Sequence, residues 1–458
     1  MLLAAALVVA AGPAGAAARP QDVARLGQDL TPVGAERAGS RGTTPAEQSR
    51  SRAPKDEFEV AEDPPATIPA WQARPELPSA DEKPLFVINW TNMNRYRDQL
   101  TESHAWLLQA YPNTYVMNVY PSRRTVAWPQ AIDEATKRNA ASCKLSGSDD
   151  LAGCRLGFPF PVPANGAEVL WNHKLRWRGD AQSRRVQQLA VQPTGSFQVL
   201  ELAEDYQAVY ANLQAPGSLE GERRELSRSL TQTLAPPRIA GAVVLVHERS
   251  GLGSLGRAAW TFTPGTRLPR REPKICCDRT SPGSDGMQFF DQLDLFNGAL
   301  EAYDWKLVGK REVFVPYNAR RLAAAAMRHA DLVRPTHMNQ ELLRYELHRV
   351  WVVDAQLRAG GQHAMRKRRF YLDEDSWTIL AADALDAYDQ PYQLQEGHLV
   401  VGKPGAAPRY AAEVIYQLSS GRYLIAGLQD PARAEDPPPA FTAAHFSAEA
   451  MKKYAARP

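Results

Sequence analysis

Several groups of residues in the chain have types and spacings that suggest chemistry. Gly251-Leu252-Gly253-Ser254-Leu255-Gly256 spells G-x-G-x-x-G after a strand-like run. A dinucleotide site needs a helix next, so that its N-terminus meets the pyrophosphate. Residues 257–262 read instead as another strand, and a hairpin loop is the better account. His329, His337, His348 and His363 lack the H-E-x-x-H spacing or any equivalent and read as packed or surface histidines. Asp373-Glu374-Asp375 is acidic, but the rest of a calcium loop is missing, so it reads as a hairpin turn. On a strand, Arg366-Lys367-Arg368-Arg369 splits by alternation, Arg366 and Arg368 to one face, Lys367 and Arg369 to the other. That pattern favours ion pairs to neighbouring strands over a nucleic-acid groove. No nucleophile–base pair and no metal set survives, so the expectation is no enzyme, no metal and no cofactor.

What remains is binding. Trp260-Thr261-Phe262-Thr263-Pro264-Gly265 ends a strand, and Arg267, Arg270 and Arg271 follow closely. Guanidinium groups at the mouth of a sheet can grip carboxylates or phosphates bidentately; a basic surface loop accounts for them equally well. Ser284-Asp285-Gly286 then gives a turn, and Phe289-Phe290 an apolar step. Trp260, Arg267, Arg270, Arg271, Asp285 and Phe289 are the candidate ligand-binding residues.

The elements around them are mostly strands. Among 458 residues, 44% are apolar and 23% charged, the balance of a protein with a real core, and a net charge of +3 argues against nucleic acid as partner. The 35 prolines and 26 Trp plus Tyr suit strands and turns. Residues 1–18 carry no charge, have an apolar stretch at 2–11 and offer small-x-small sites at Ala14-Gly15-Ala16 and Ala16-Ala17-Ala18, the pattern of an export signal, although no basic residue precedes it. Residues 19–83 are rich in Pro, Ala, Arg and Glu and read as an extended arm unable to bury enough surface. A single β-rich domain is expected over 84–430, and a Pro-rich tail over 431–458 with a short helix from Ser447 toward Tyr454. Helices are predicted at 94–110, 129–144, 219–233 and 320–328. Strands are predicted at 115–120, 168–178, 197–206, 240–248, 258–263 and 305–315. The C-terminal hairpins, at 345–357, 365–372, 377–382, 412–418 and 422–428, predict an antiparallel meander.

Four cysteines suit an oxidising compartment. A local Cys143–Cys154 bridge is predicted, worth roughly 3 kcal/mol for so short a loop. Adjacent Cys276 and Cys277 read as free or strained, with a crossed pairing to the early cysteines left open.

Several long strings resemble one family. Residues 30–39 (LTPVGAERAG) resemble the mature start of proteins in the domain-of-unknown-function family 1329. Residues 303–312 (YDWKLVGKRE), 315–318 (VPYN), 344–353 (RYELHRVWVV) and 370–377 (FYLDEDSW) resemble its later signatures. The Ile68-Pro69-Ala70-Trp71 element comes late, after an insertion, and the Gly and Trp expected near residues 388–391 are absent. The resemblance implies a periplasmic protein with a fold like that of the lipoprotein-sorting factors LolA and LolB: mainly β (α+β), a curved antiparallel sheet or incomplete β-barrel closed by helices over an apolar cavity. In those relatives a Trp strand and Arg-rich stretch precede a Ser-Asp segment, an order that Trp260 to Arg271 and Ser284-Asp285 resemble. The resemblance further implies a carrier of lipid or another hydrophobic ligand, possible partners being an inner-membrane transporter of the resistance-nodulation-division type or an outer-membrane protein. An envelope scaffold without a ligand of its own is the alternative.

Overall fold

The computed structural model describes residues 19–40, 63–79, 81–217, 219, 224–266, 268–272, 275, 278–324, 327–403, 405–429 and 440–455. The predicted export signal, Arg267, Cys276, Cys277 and most of the Pro-rich stretch after residue 429 lie outside them.

The strands begin with β1 (Phe86–Ile88), β2 (Met117–Val119), β3 (Lys144–Ser146), β4 (Asp150–Ala152), β5 (Ala181–Val191), β6 (Phe197–Ala208), β7 (Glu225–Ala235), β8 (Val243–Arg249), β9 (Arg257–Phe262) and β10 (Arg270–Arg271). They continue with β11 (Tyr303–Pro316), β12 (Tyr345–Leu357), β13 (Lys367–Asp373), β14 (Ile379–Leu385), β15 (Pro391–Val400), β16 (Arg409–Gln417) and β17 (Arg422–Gln429). All but β3 and β4 join one 15-stranded sheet. It consists of two antiparallel meanders, β5 to β10 and β12 to β17, joined where β17 pairs with β5. β11 pairs with β12, and the end strands β1 and β10 do not pair with each other, so the sheet is curved and open.

Four helices of eight residues or more accompany it among the described residues: α1 (Glu102–Ala110), α2 (Gln130–Ser142), α3 (Gly166–Leu175) and α4 (Ala448–Ala455). Thr101 caps α1 by accepting from the His104 N–H, and Asp383 of β14 accepts from the Glu102 and Ser103 N–H groups. Cys143, just past α2, is disulfide-bonded to Cys154 with a Cα separation of 4.6 Å, which clips the β3–β4 hairpin to that helix.

Three local expectations fail for identifiable reasons. Residues 166–175 form a helix, not a strand. Asn165 accepts from the Glu168 N–H at 3.0 Å while the Glu168 carboxylate accepts from the Ala164 N–H, a capping arrangement legible in Asn-Gly-Ala-Glu. Nearly every side chain of α3 is buried, so no helical stripe shows in its sequence. β7 was expected as a helix because Leu226 and Leu230 recur four apart; that interval fits a strand face equally well. Residues 320–323 form a turn and not a helix.

The arm also departs from expectation. Leu26, Leu30, Val33 and Ala35 are buried, and residues 19–40 lie folded on the body. Gly34 makes this approach possible: its φ is +94°, and a Cβ there would stand 1.9 Å from the Pro161 carbonyl oxygen. Little apolar surface is needed because charges and backbone groups hold the segment.

Candidate functional site

The sheet wraps around a strap of its own chain, residues 287–302. On one side Phe290 packs with Ala259 of β9, and Asn297 lies 3.4 Å from the Glu248 carboxylate of β8. On the other, Arg368 of β13 donates to Asp291 at 2.7 Å, Gln292 donates to Gln393 of β15 at 2.8 Å, and Gln395 donates to the Leu295 carbonyl. Phe296 lies edge-on to Phe370 and Trp305, with the Arg368 guanidinium 5.2 Å above its ring.

Asp294 anchors the middle of the strap. Arg176, at the end of α3, and Arg178 both donate to its carboxylate, and His173 donates from Nε2 to its main-chain carbonyl at 2.8 Å. Burial opposes the charge on Asp294, but the two guanidinium groups outweigh it and hold the carboxyl well below the usual range. Burial, with Arg176 adding, pushes the His173 imidazole down to about 3, so it is neutral. Glu413 of β16 faces the same place; burial first, then the Asp294 charge, pushes it up to about 8.

A group protonated in the fold but ionised in the unfolded chain costs stability as pH rises. For Glu413 the cost develops above its unfolded value near 4.5 and is complete above about 8. Glu413→Gln, which keeps an acceptor for the Leu295 N–H, should therefore leave stability near pH 4 unchanged. It should raise stability at pH 8 by at least ~1.4 kcal/mol, the equivalent of one pKa unit. Urea unfolding at the two pH values checks this, and equal gains at both would refute it.

The strap stands on the face where the implied apolar cavity was expected. Two pockets among the described residues hold about 110 Å³ and 20 Å³, against the roughly 300–1,000 Å³ of a drug-sized ligand site. Neither is lined by the strap.

Of the five candidate ligand-binding residues that are described, the fold sets Arg271 opposite Trp260 across β9 and β10 and places the others as follows. Ala259 faces the strap side, so Trp260 points the other way. It packs in a cluster with Phe446, Met451 and Tyr454 of the C-terminal segment, its ring 5.5 Å from His247. Arg270 and Arg271 form the short end strand β10, both exposed. Asp285 is exposed and pairs with Arg422 at 3.0 Å. Phe289 is buried against Met365 and the His363 ring, just before β13, and Ala384 of β14. The Arg366–Arg369 run behaves as alternation requires, with Arg368 buried against the strap and Arg369 paired across to Asp354 of β12 at 2.6 Å.

A second constellation lies at the acidic turn Asp373-Glu374-Asp375. Asp373, Glu374 and Asp375 do turn the chain between β13 and β14, but all three are buried. Arg124 grips Asp375 through two hydrogen bonds of 2.8 and 2.7 Å, and its third nitrogen donates to the Glu36 carbonyl of the arm. Lys310 and Arg349 reach both Glu374 and Glu36. Trp377 donates to the Val33 carbonyl, and the Trp71 N–H to the Arg37 carbonyl. Burial and the neighbouring Asp375 charge push Asp373 up to about 6. The strings 30–39, 68–71, 303–312, 344–353 and 370–377 thus converge on one ionic seam between arm and body. The clue in the sequence is their complementary charge: Glu36 and Glu374 against Lys310 and Arg349.

Among the described residues no group of three or more His, Cys, Asp or Glu is placed to hold a metal, and no helix is long and apolar enough to cross a membrane.

An uncharacterized protein of Pseudomonas aeruginosa is 37% identical over 431 residues, covering 91% of this chain and 89% of that one. Among solved structures, the chain is similar to a DUF1329 family protein from Desulfovibrio piger, at 12% identity and a TM-score of 0.37, covering 59% of this chain and 91% of that one. It is also similar to a LolA superfamily protein from Nitrosomonas europaea, at 10% identity and a TM-score of 0.34, covering 58% and 91%. The family model described as protein of unknown function (DUF1329) matches residues 87–452, and the chain belongs to that family.

Proposed function

We propose that this protein is an exported, non-enzymatic component of the bacterial cell envelope that acts by engaging another envelope protein. The observation that carries the reading is the strap: the face on which a half-barrel carrier would hold its ligand is occupied by residues 287–302 of the chain itself. Export to the periplasm is supported by the signal-like start and by the Cys143–Cys154 disulfide, which persists in oxidising compartments. β11 supports a protein partner. Its outer edge pairs with no strand among the described residues, and Asp304, Lys306, Val308 and Arg311 are exposed along it. A bulge at Val308 and the charges discourage pairing of two copies while leaving a ladder of backbone groups to a suited partner. An inner-membrane transporter of the resistance-nodulation-division type, or an outer-membrane protein, is the partner to look for first.

Carriage of a lipid or other hydrophobic ligand is the second reading. It requires the strap to leave, and it draws less support because Trp260 lies under the C-terminal helix, Phe289 is buried and Asp285 is paired with Arg422. The test places a photo-crosslinking residue at Lys306 or, as a control, at exposed Tyr388, in living cells. A single defined protein adduct from position 306 and none from 388 is the expected result. Equal adducts from both positions, or none, would remove the edge strand from the account.

A further inference from the structure

The larger pocket lies in the seam between arm and body and has a composition that none of the roles above uses. Residues 31–33 of the arm form one wall and residues 126–128, ending in Trp128, another; Trp71, Asp133 and Asp375 complete it. Two indoles and two carboxylates line it, with no Lys or Arg among the lining residues.

The two carboxylates are not equivalent. Asp375 is neutralised by the Arg124 guanidinium. Asp133, in the first turn of α2, is half-buried and makes no side-chain hydrogen bond among the described residues. Burial pushes it up to about 6, while Lys137, one turn on, pulls it down. A half-buried carboxylate with no hydrogen-bonded partner is partly desolvated, and a cation beside it offsets that cost. Indole faces attract cations as well, and this chain already uses one so: the Arg37 guanidinium stands 5.0 Å over the Trp71 ring. A cavity of about 110 Å³ has room for a head of a few heavy atoms and not for an acyl chain.

We infer that this pocket binds a small organic cation, a guanidinium or alkylammonium head, between Trp71 and Trp128 and against Asp133. The head can belong to a free amine or to a phosphatidylethanolamine lipid, and the chemistry of recognition is the same.

The experiment titrates the purified full-length protein with ethylguanidinium and ethylammonium, following tryptophan fluorescence, with acetate as the anion control. Both cations should saturate and acetate should not. Asp133→Asn, which keeps the shape and removes the charge, should weaken binding about tenfold or more with thermal unfolding unchanged or improved. Trp71→Leu, at a half-buried position, should weaken it independently. Vesicles distinguish the sources. Capture by phosphatidylethanolamine but not phosphatidylglycerol vesicles, lost in Asp133→Asn, assigns the head to a lipid; binding of the free cations without vesicle capture assigns it to a soluble amine. Absence of saturable cation binding, equal affinity in Asp133→Asn, or equal binding of acetate would overturn the inference.

Discussion

Arg124→Met should lower the free energy of unfolding by about 3–5 kcal/mol, the range for breaking a buried ion pair from one side. Arg124 is almost fully buried, and its loss leaves Asp375 and Glu374 in the seam without their shared cation while also releasing the Glu36 carbonyl. The damage should be directional: limited proteolysis should cut within residues 19–40 well before the meanders open. Glu36→Gln is the contrast. Its carboxylate is half-exposed, so its pairs with Lys310 and Arg349 are screened and the change should cost under about 1 kcal/mol. Urea unfolding and timed proteolysis of the two variants read both effects. Comparable losses in the two would mean that the seam does not hold the arm as described.

Asp294→Ala should have the other large effect, again about 3–5 kcal/mol, because Arg176 and Arg178 then face each other without the carboxylate between them. Here the loss should concentrate in the strap. Hydrogen exchange should speed up across residues 289–302 and leave β12 to β15 protected, and an apolar fluorescent dye should bind the exposed face. Uniform loss of protection across the sheet would show that the strap is inseparable from the core. In that case a carrier state reached by moving it would be excluded as well.

The C-terminal meander was the most legible part of the sequence. β12 is read to the residue, since Tyr345 to Leu357 alternates between strong strand formers and ends in Ala359-Gly360-Gly361. The helix after Ser447 was legible too, and its Ser447 hydroxyl accepts from the Ala450 N–H. What escaped is what depends on partners distant in sequence. β5 carries Gln-Ser-Arg-Arg in its first half and resembles a solvated segment until β6 and β17 flank it. The strap reads as loop because its chemistry is supplied by Arg176, Arg178 and Arg368, over seventy residues away on either side. The pocket at Asp133 needs the arm, Trp71 and α2 brought together, and local pattern could not do that. Trp260 was placed on the correct strand, but which of its faces was open depended on α4, almost two hundred residues later.

Native mass spectrometry of the protein isolated from its own envelope fraction tests the central claim most directly. The account predicts the mass of the disulfide-bonded chain, alone or with a protein partner, and no acyl lipid at stoichiometric level once the Asp133 pocket is disabled by Asp133→Asn. A stoichiometric acyl lipid retained equally by the wild-type protein and by Asp133→Asn would contradict it, since the strap occupies the face that would hold the chains.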